Sequence, residues 1–315
     1  MERIRNLFWY IKDVVNWRRK YISSALRTVK YAPKDVSLWE RLRFFLPSRR
    51  VLLPIPNRFM KRWAERFALG LRLISSNAQE EIYEKDGILY LIPKEGGFLG
   101  ELYSLFPRIN FLSQYEEPPV IVGEGDIVID CGANIGVASL LFAKKAGKEG
   151  KVIAIEPEER NYEVLRKSSQ LNKDKTAPVI PLRVAVYKED GHLKLYVSKS
   201  PASHTLYKNI EHEAIRESLT GAMEEVKAVR IDTIVEELGL GRVDFIKMDI
   251  EGAEVDALLG AERTITQFKP KLAICTNHRP TDPIEISQIL QKYNPNYKFK
   301  EIERGEKVLY AWDET

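Results

Sequence analysis

The chain has 315 residues, 44% of them apolar and 31 aromatic, enough to bury a sizeable core. With 30% charged residues, 18 Gly and 16 Pro, it is neither low-complexity nor fibrous. Two cysteines, Cys131 and Cys275, exclude a disulfide framework and a four-cysteine metal site, and point to a reducing, cytoplasmic interior. The net charge of +4 conceals an asymmetry: residues 1–75 hold 18 Lys/Arg against 5 Asp/Glu, while the rest holds 31 against 40.

The opening residues carry Trp, Tyr and Arg throughout and lack the apolar stretch and cleavage site of a secretory signal. No run of about 18 apolar residues predicts a spanning helix. Ile4, Leu7, Phe8, Ile11, Val14, Val15 and Ile22 fall near helical spacing. A second helix is expected from the capping box Ser37-Leu38-Trp39-Glu40 to Pro47, and a third over Asn57–Leu69 before Gly70. At residue 81 the period changes: Glu81–Lys85 and Ile88–Ile92 flank Asp86-Gly87, a hairpin signal. Then strands alternate with helices. The predicted strands are Ile127–Cys131, Val152–Glu156, Ile180–Ala185, Val243–Ile250, Lys271–Thr276, Tyr297–Ile302 and Lys307–Trp312; the predicted helices are 135–146, 158–172, 251–261 and 283–293. Buried strands between helices imply a parallel sheet covered on both faces, and the last two, joined by a short turn, must run antiparallel. Residues 186–232 depart from this alternation, with a strand His192–Val197, a loop Ser198–Thr205 and a helix Ile210–Leu219, and are expected to form an acceptor lid. The chain thus reads as a basic helical segment (1–75), a small β-rich connector (76–120) and an α/β domain (121–315).

The sharpest constellation is Asp126-Ile127-Val128-Ile129-Asp130-Cys131-Gly132-Ala133-Asn134-Ile135-Gly136, an apolar strand ending in an acid and a glycine turn that opens a helix. Such turns line the crevice beyond parallel strand ends. Gly132 and Gly136 are expected to let backbone amides approach a ligand. Glu156, twenty residues past Gly136, ends the next strand and suits two ribose hydroxyls. The dinucleotide fingerprint would need glycine where Asn134 stands, and Asp130 would repel a diphosphate, so a hydride-transfer enzyme is disfavoured. A carboxylate there suits the ammonium of S-adenosylmethionine.

These pieces, with Gly150-Lys151-Val152-Ile153-Ala154-Ile155-Glu156-Pro157, Arg230-Ile231-Asp232-Thr233-Ile234 and Asp244-Phe245-Ile246-Lys247-Met248-Asp249-Ile250-Glu251-Gly252-Ala253-Glu254, resemble the FkbM family of S-adenosylmethionine-dependent methyltransferases. The resemblance covers roughly residues 120–315. It implies a class I Rossmann-like methyltransferase fold, a seven-stranded, mostly parallel sheet whose last strand is antiparallel. It also implies that Asp130, Gly132, Ala133, Asn134 and Gly136 line the methionine end, that Glu156 and Pro157 meet the ribose, and that Asn172 and Ala185 lie by the adenine. The acceptor it implies is a sugar or glycoconjugate hydroxyl.

Asp249 and Glu251 end the fourth strand, beside the first, and are expected to face the sulfonium. A hydroxyl acceptor needs a base, and Glu251, Asp249 and His278 are the candidates. Glu251 also fits a first-turn helix carboxylate, and His278 a loop histidine. Many family members have an aromatic residue before that histidine, where this chain has Asn277; Asp282 follows. Lys247 is expected to be a structural ion-pair partner, Cys131 a packed small residue, and His192, His204 and His212 surface or lid residues. No cluster has metal-ligand spacing, so no metal is expected. The basic segment has three readings: a helix over residues 4–26 lying on the inner face of a membrane, Arg and aromatics meeting nucleic acid as in an RNA methyltransferase, or a cap on the acidic domain. A cofactor-binding module without catalysis is a further reading. The oligomeric state is not legible.

Overall fold

The computed structural model describes residues 72–94, 114–303 and 306–314. The three helices expected in the basic segment, and the membrane contact through 4–26, lie outside these residues. Apart from Arg72, the described residues belong to one compact unit, Leu73–Glu101 with Phe111–Thr315. Among them no helix is long and apolar enough to cross a membrane.

The described residues begin with β1 (Arg72–Ser76), β2 (Glu80–Lys85) and β3 (Ile88–Pro93), a three-stranded sheet in that order. Asp86 (φ 51) and Gly87 (φ 86) both adopt positive φ, as a two-residue hairpin turn requires. Next come β4 (Ile127–Cys131), α1 (Val137–Ala146), β5 (Lys151–Ile155), α2 (Glu159–Asn172) and β6 (Val179–Leu182). An insertion follows: β7 (Ala185–Val186), β8 (Gly191–Ser198), α3 (Glu213–Ser218) and β9 (Leu219–Val229). The chain ends with α4 (Ile231–Glu237), β10 (Phe245–Met248), α5 (Glu254–Leu259), α6 (Glu262–Phe268), β11 (Lys271–Cys275), α7 (Asp282–Tyr293), β12 (Lys298–Glu303) and β13 (Lys307–Trp312).

Seven strands form the main sheet in the order β12-β13-β11-β10-β4-β5-β6. All neighbours from β11 to β6 are parallel, and β13 runs antiparallel to both β11 and β12. This is the expected α/β sheet, with its last strand reversed. Alternate residues feed the two faces. Ile129, Ile153, Ile246 and Leu272 pack with residues of α4 to α7, while Val128, Val152, Phe245 and Ala273 pack with Ala138, Phe142 and Ala143 of α1. Chain order reverses between β4 and β10, the place where open sheets of this kind leave a crevice.

Several boundaries differ from the sequence reading. The strand expected over 180–185 splits: β6 ends at Leu182, and Ala185 begins β7 in a separate sheet of order β7-β9-β8. Pro181 is tolerated because β6 is an edge strand. The helix expected over 210–219 is the short α3, and an 11-residue strand, β9, follows it. The helix expected from 251 starts only at Glu254, since Glu251 (φ 54) and Gly252 (φ 101) turn the chain first.

The small sheet docks on α2 through its free edge. Asn172 accepts the Leu89 N–H at 2.9 Å and donates to the Leu89 carbonyl at 2.7 Å and the Ser168 carbonyl at 2.8 Å. A buried amide thus covers edge groups of β3 that would otherwise lack partners.

Candidate active site

The turn after β4 presses against the tip of β10. A Cβ on Gly132 (φ +77) would stand 1.9 Å from the Asp249 carbonyl oxygen, so only glycine fits. The turn's amides are not free. Gly132 and Ala133 both donate to the Ile155 carbonyl (3.0 and 2.9 Å), Asn134 to the Glu156 carboxylate (2.8 Å), Ile135 to the Asn134 side chain (2.6 Å) and Gly136 to the Ala133 carbonyl (2.8 Å). The expectation that these amides reach toward a ligand is corrected: they secure the turn to β5. Bonded in this way, the five turn amides offer no cradle for a diphosphate.

Asp130 is also spent internally. It is fully buried, accepts from the Ser139 hydroxyl at 2.6 Å and pairs with the Lys247 ammonium at 3.0 Å. Parallel register puts Lys247 opposite Asp130, and the same ammonium donates to the carbonyls of Gly132 (2.7 Å) and Cys131 (3.2 Å) beneath the Tyr115 ring. Burial works against the Lys247 charge, but Asp130 and Asp249 outweigh it and hold its pKa above the ordinary value. Asp130 therefore braces the turn from behind; it does not stand open to a ligand's ammonium as expected.

Glu156 lies just past β5, 5% exposed, and accepts the amides of Asn134 and Glu158 (2.8 and 3.1 Å). Burial pushes its carboxyl up to about 7 against the pull of those two amides. Pro157 follows, half-buried. Near it, in the first turn of α2, Asn161 is 1% exposed; its Nδ2 donates to the Pro201 carbonyl at 2.7 Å, and its Oδ1 is buried without a partner. Asn134 reaches the same carbonyl at 3.4 Å. Two asparagines beside the crevice thus hold the 198–205 loop over it.

Two expected contacts fall elsewhere. Asn172 is committed to Leu89 and Ser168, as described above, and Ala185 packs among Leu195 and Val226 in the insertion. Both corrections arise because the strand containing Ala185 left the main sheet and the hairpin claimed the end of α2.

At the tip of β10, one strand over, Asp249 and Glu251 meet His278, which follows β11. His278 Nε2 stands 3.4 Å from Glu251 and 3.6 Å from Asp249, and its Nδ1 is 2.8 Å from Glu254. The side chain of His278 is 3% exposed, those of Asp249 and Glu251 19% and 18%. The Tyr115 hydroxyl donates to Asp249 at 2.6 Å. Burial pushes Glu251 up to about 8, only partly offset by His278, whereas the charges of Lys247 and His278 hold Asp249 below its ordinary range despite burial. Burial disfavours the His278 cation, yet Glu254, Glu251 and Asp249 together raise its pKa well above normal. Asn277 donates to Glu306 at 2.7 Å, and Asp282 is buried against Arg279. The insertion also reaches this cluster, through the Thr205 hydroxyl on the Glu251 carbonyl (2.7 Å) and the His212 ring, 6.4 Å from His278. His204 accepts the Ser198 amide, His212 caps α3, and His192 is exposed.

Asp249, Glu254 and His278 bring possible metal-ligand atoms within 4.8 Å of one another, a convergence that sequence spacing did not reveal. Within this group Glu254 also accepts the amides of Ile250 and Gly252 and faces His278 Nδ1, so its oxygens are engaged by the protein itself. Tyr115, Asn161 and Glu254 were not singled out from sequence. Glu254 stood in the quoted motif, but nothing local marks Tyr115.

The family model for the methyltransferase FkbM domain matches residues 130–302, more than half of the chain. The chain is similar to methyltransferase sdnD of Sordaria araneosa, at 32% identity over 43% of this chain and 60% of that protein. It is also similar to hexuronic acid methyltransferase AglP of Haloferax volcanii, at 26% identity over 58% of this chain and 69% of that one. The crystal structure of methyltransferase FkbM from Methylobacillus flagellatus KT shares 21% identity, with a TM-score of 0.46, over 70% of this chain and 56% of that one. The chain thus spans less than two thirds of sdnD's length.

Proposed function

The chain belongs to the FkbM methyltransferase family, and on that premise we propose that it methylates a hydroxyl of a sugar or glycoconjugate with S-adenosylmethionine as donor. The observation that supports this reading is the adjacency of two unlike half-sites: a crevice at β4 and β5 whose turn amides are bonded within the protein, and a carboxylate–imidazole cluster at the next strand tip. The residues fit a nucleoside, because Glu156 has acceptor capacity beyond its two amides and Asn161 Oδ1 is buried and unpartnered. Gly132, Ala133, Asn134 and Gly136 would line the donor's amino-acid end, with Glu156, Pro157 and Asn161 at its ribose. Bound there, the donor supplies an electrophilic methyl on a sulfonium. The chain's own part is alignment, exclusion of water by the 198–205 loop, and removal of the acceptor's proton by Glu251 with His278 and Asp249 beside it. The AglP relative is named for a hexuronic acid, which supports a sugar acceptor here.

Titration calorimetry is expected to show S-adenosylmethionine and S-adenosylhomocysteine binding, with NAD silent. Labelled methyl from the donor should then enter the glycan fraction of a cell extract. Label in RNA would replace the acceptor, and cofactor binding with no transfer to any pool would make the chain a non-catalytic module.

A further inference from the structure

Glu254 opens α5, two residues beyond the Gly252 turn, and is fully buried. Its Oε1 accepts the Ile250 N–H at 2.9 Å and lies 2.8 Å from His278 Nδ1, and its Oε2 accepts the Gly252 N–H at 3.0 Å. A carboxylate facing an imidazole nitrogen at that distance takes the hydrogen from it, so Nδ1 carries the proton in this bond. That leaves Nε2 as the working atom, directed at Glu251 (3.4 Å) and Asp249 (3.6 Å). The two amides that Glu254 holds flank Glu251, a non-glycine residue at φ +54. Left-handed backbone at such a residue persists only when its surroundings hold it.

We propose that Glu254 is the positioning residue of the acceptor site, fixing which nitrogen of His278 faces the acceptor and bracing the strained turn that presents the Glu251 carboxylate to it. This rests on the preceding reading that the tip of β10 is where the acceptor lies, and it sharpens that reading. A braced carboxylate beside a braced imidazole serves an acceptor with a proton to lose, as a hydroxyl has and an ionised carboxylate has not. In the transfer the acceptor's O–H bond would break and an oxygen electron pair would form the new oxygen–methyl bond as the donor's sulfur–methyl bond breaks, the pair of that broken bond staying on the sulfur of the departing S-adenosylhomocysteine. The proton would pass to the Glu251 carboxylate, 3.4 Å from Nε2. The charged or titratable groups around His278 are Asp249 and Glu251 from the turn after β10, Glu254 from α5 and His212 from the insertion. Glu306 bears on Glu251, and Arg279 is engaged by Asp282.

The test is the nitrogen-15 spectrum of the histidine side chains of the full chain, with His278 assigned from its loss in His278→Asn. In the wild type, His278 should show a bound Nδ1 hydrogen and titrate well above the ordinary value of about 6.5. Glu254→Gln should lower the pH of that titration by at least about one unit, a tenfold loss of proton affinity, while S-adenosylhomocysteine binding stays within about twofold. An unmoved His278 titration in a folded Glu254→Gln variant overturns the proposal. Should that variant fail to fold, the wild-type spectrum decides alone: a bare Nδ1, or titration at the ordinary value, is equally fatal. A wild type that does not bind S-adenosylhomocysteine would defeat the functional reading instead, leaving the His278 spectrum to be judged separately.

Discussion

Glu156 and Glu251 are carboxylates that burial makes reluctant to ionise, and each has a different use for that reluctance. Glu156→Ala should weaken S-adenosylhomocysteine binding by about 1.5–3 kcal/mol, the range for hydrogen bonds to a charged group. Calorimetry reads this directly, and an unchanged affinity would take Glu156 out of the ribose site. Glu251 can accept a proton only when ionised, so with its carboxyl at about 8 the transfer rate should climb as pH rises through that value. Rates of label incorporation into the responsive pool, measured across pH, should lose that limb in Glu251→Gln. The same shift has a sign for stability. A carboxyl whose pKa is raised in the folded state helps the fold below its ordinary value of 4.5 and loses that help as pH rises from there through about 8, so the stability of Glu251→Gln should fall less across that interval. Lys247 is the opposite case, a cation kept charged by Asp130. Lys247→Met would leave that carboxylate buried without a counter-charge, at a cost of about 3–5 kcal/mol in urea denaturation. A loss below about 1 kcal/mol would mean the pair is not what secures the turn.

At the scale of elements, the insertion between β6 and α4 is what connects the two half-sites. Its 198–205 loop hangs from Asn134 and Asn161 by the Pro201 carbonyl, while Thr205 and His212 reach the Glu251 and His278 side. It spans both half-sites, so it should tighten when ligand binds between them. Hydrogen exchange of peptides covering 198–212 is expected to slow when S-adenosylhomocysteine is added. Equal exchange with and without it would argue for a fixed wall. The insertion was only partly legible in the sequence. Its β8 strand alternates visibly, but β9 is buried mainly toward its end, where Val226, Ala228 and Val229 pack, and its first half shows no pattern that identifies a strand.

Over the whole molecule, contacts far apart in sequence decide which polar groups remain available. Asn172 meets Leu89 across 83 residues, Tyr115 meets Asp249 across 134, and Lys247 meets the Gly132 carbonyl across 115. Asn172→Ala should cost about 2–3 kcal/mol in urea denaturation by leaving the Leu89 groups without partners, with S-adenosylhomocysteine affinity preserved. Lost affinity with intact stability would return Asn172 to the cofactor site. The seven strands of the main sheet, the helices α1, α2 and α7, the Asp86-Gly87 hairpin and the antiparallel final strand were readable from the chain, because turn residues and apolar runs act over a few neighbours; β9, α4 and the break between α5 and α6 were not. So was the glycine turn after β4, with Glu156 beyond it. What the tertiary structure alone decided is which acids are spent and which are exposed to chemistry: Asp130 is consumed by Lys247, while Asp249 and Glu251 stay partly open around His278. Strand order and register bring those charges together, and the strength of an ion pair or a proton's affinity depends on burial and on partners tens of residues away.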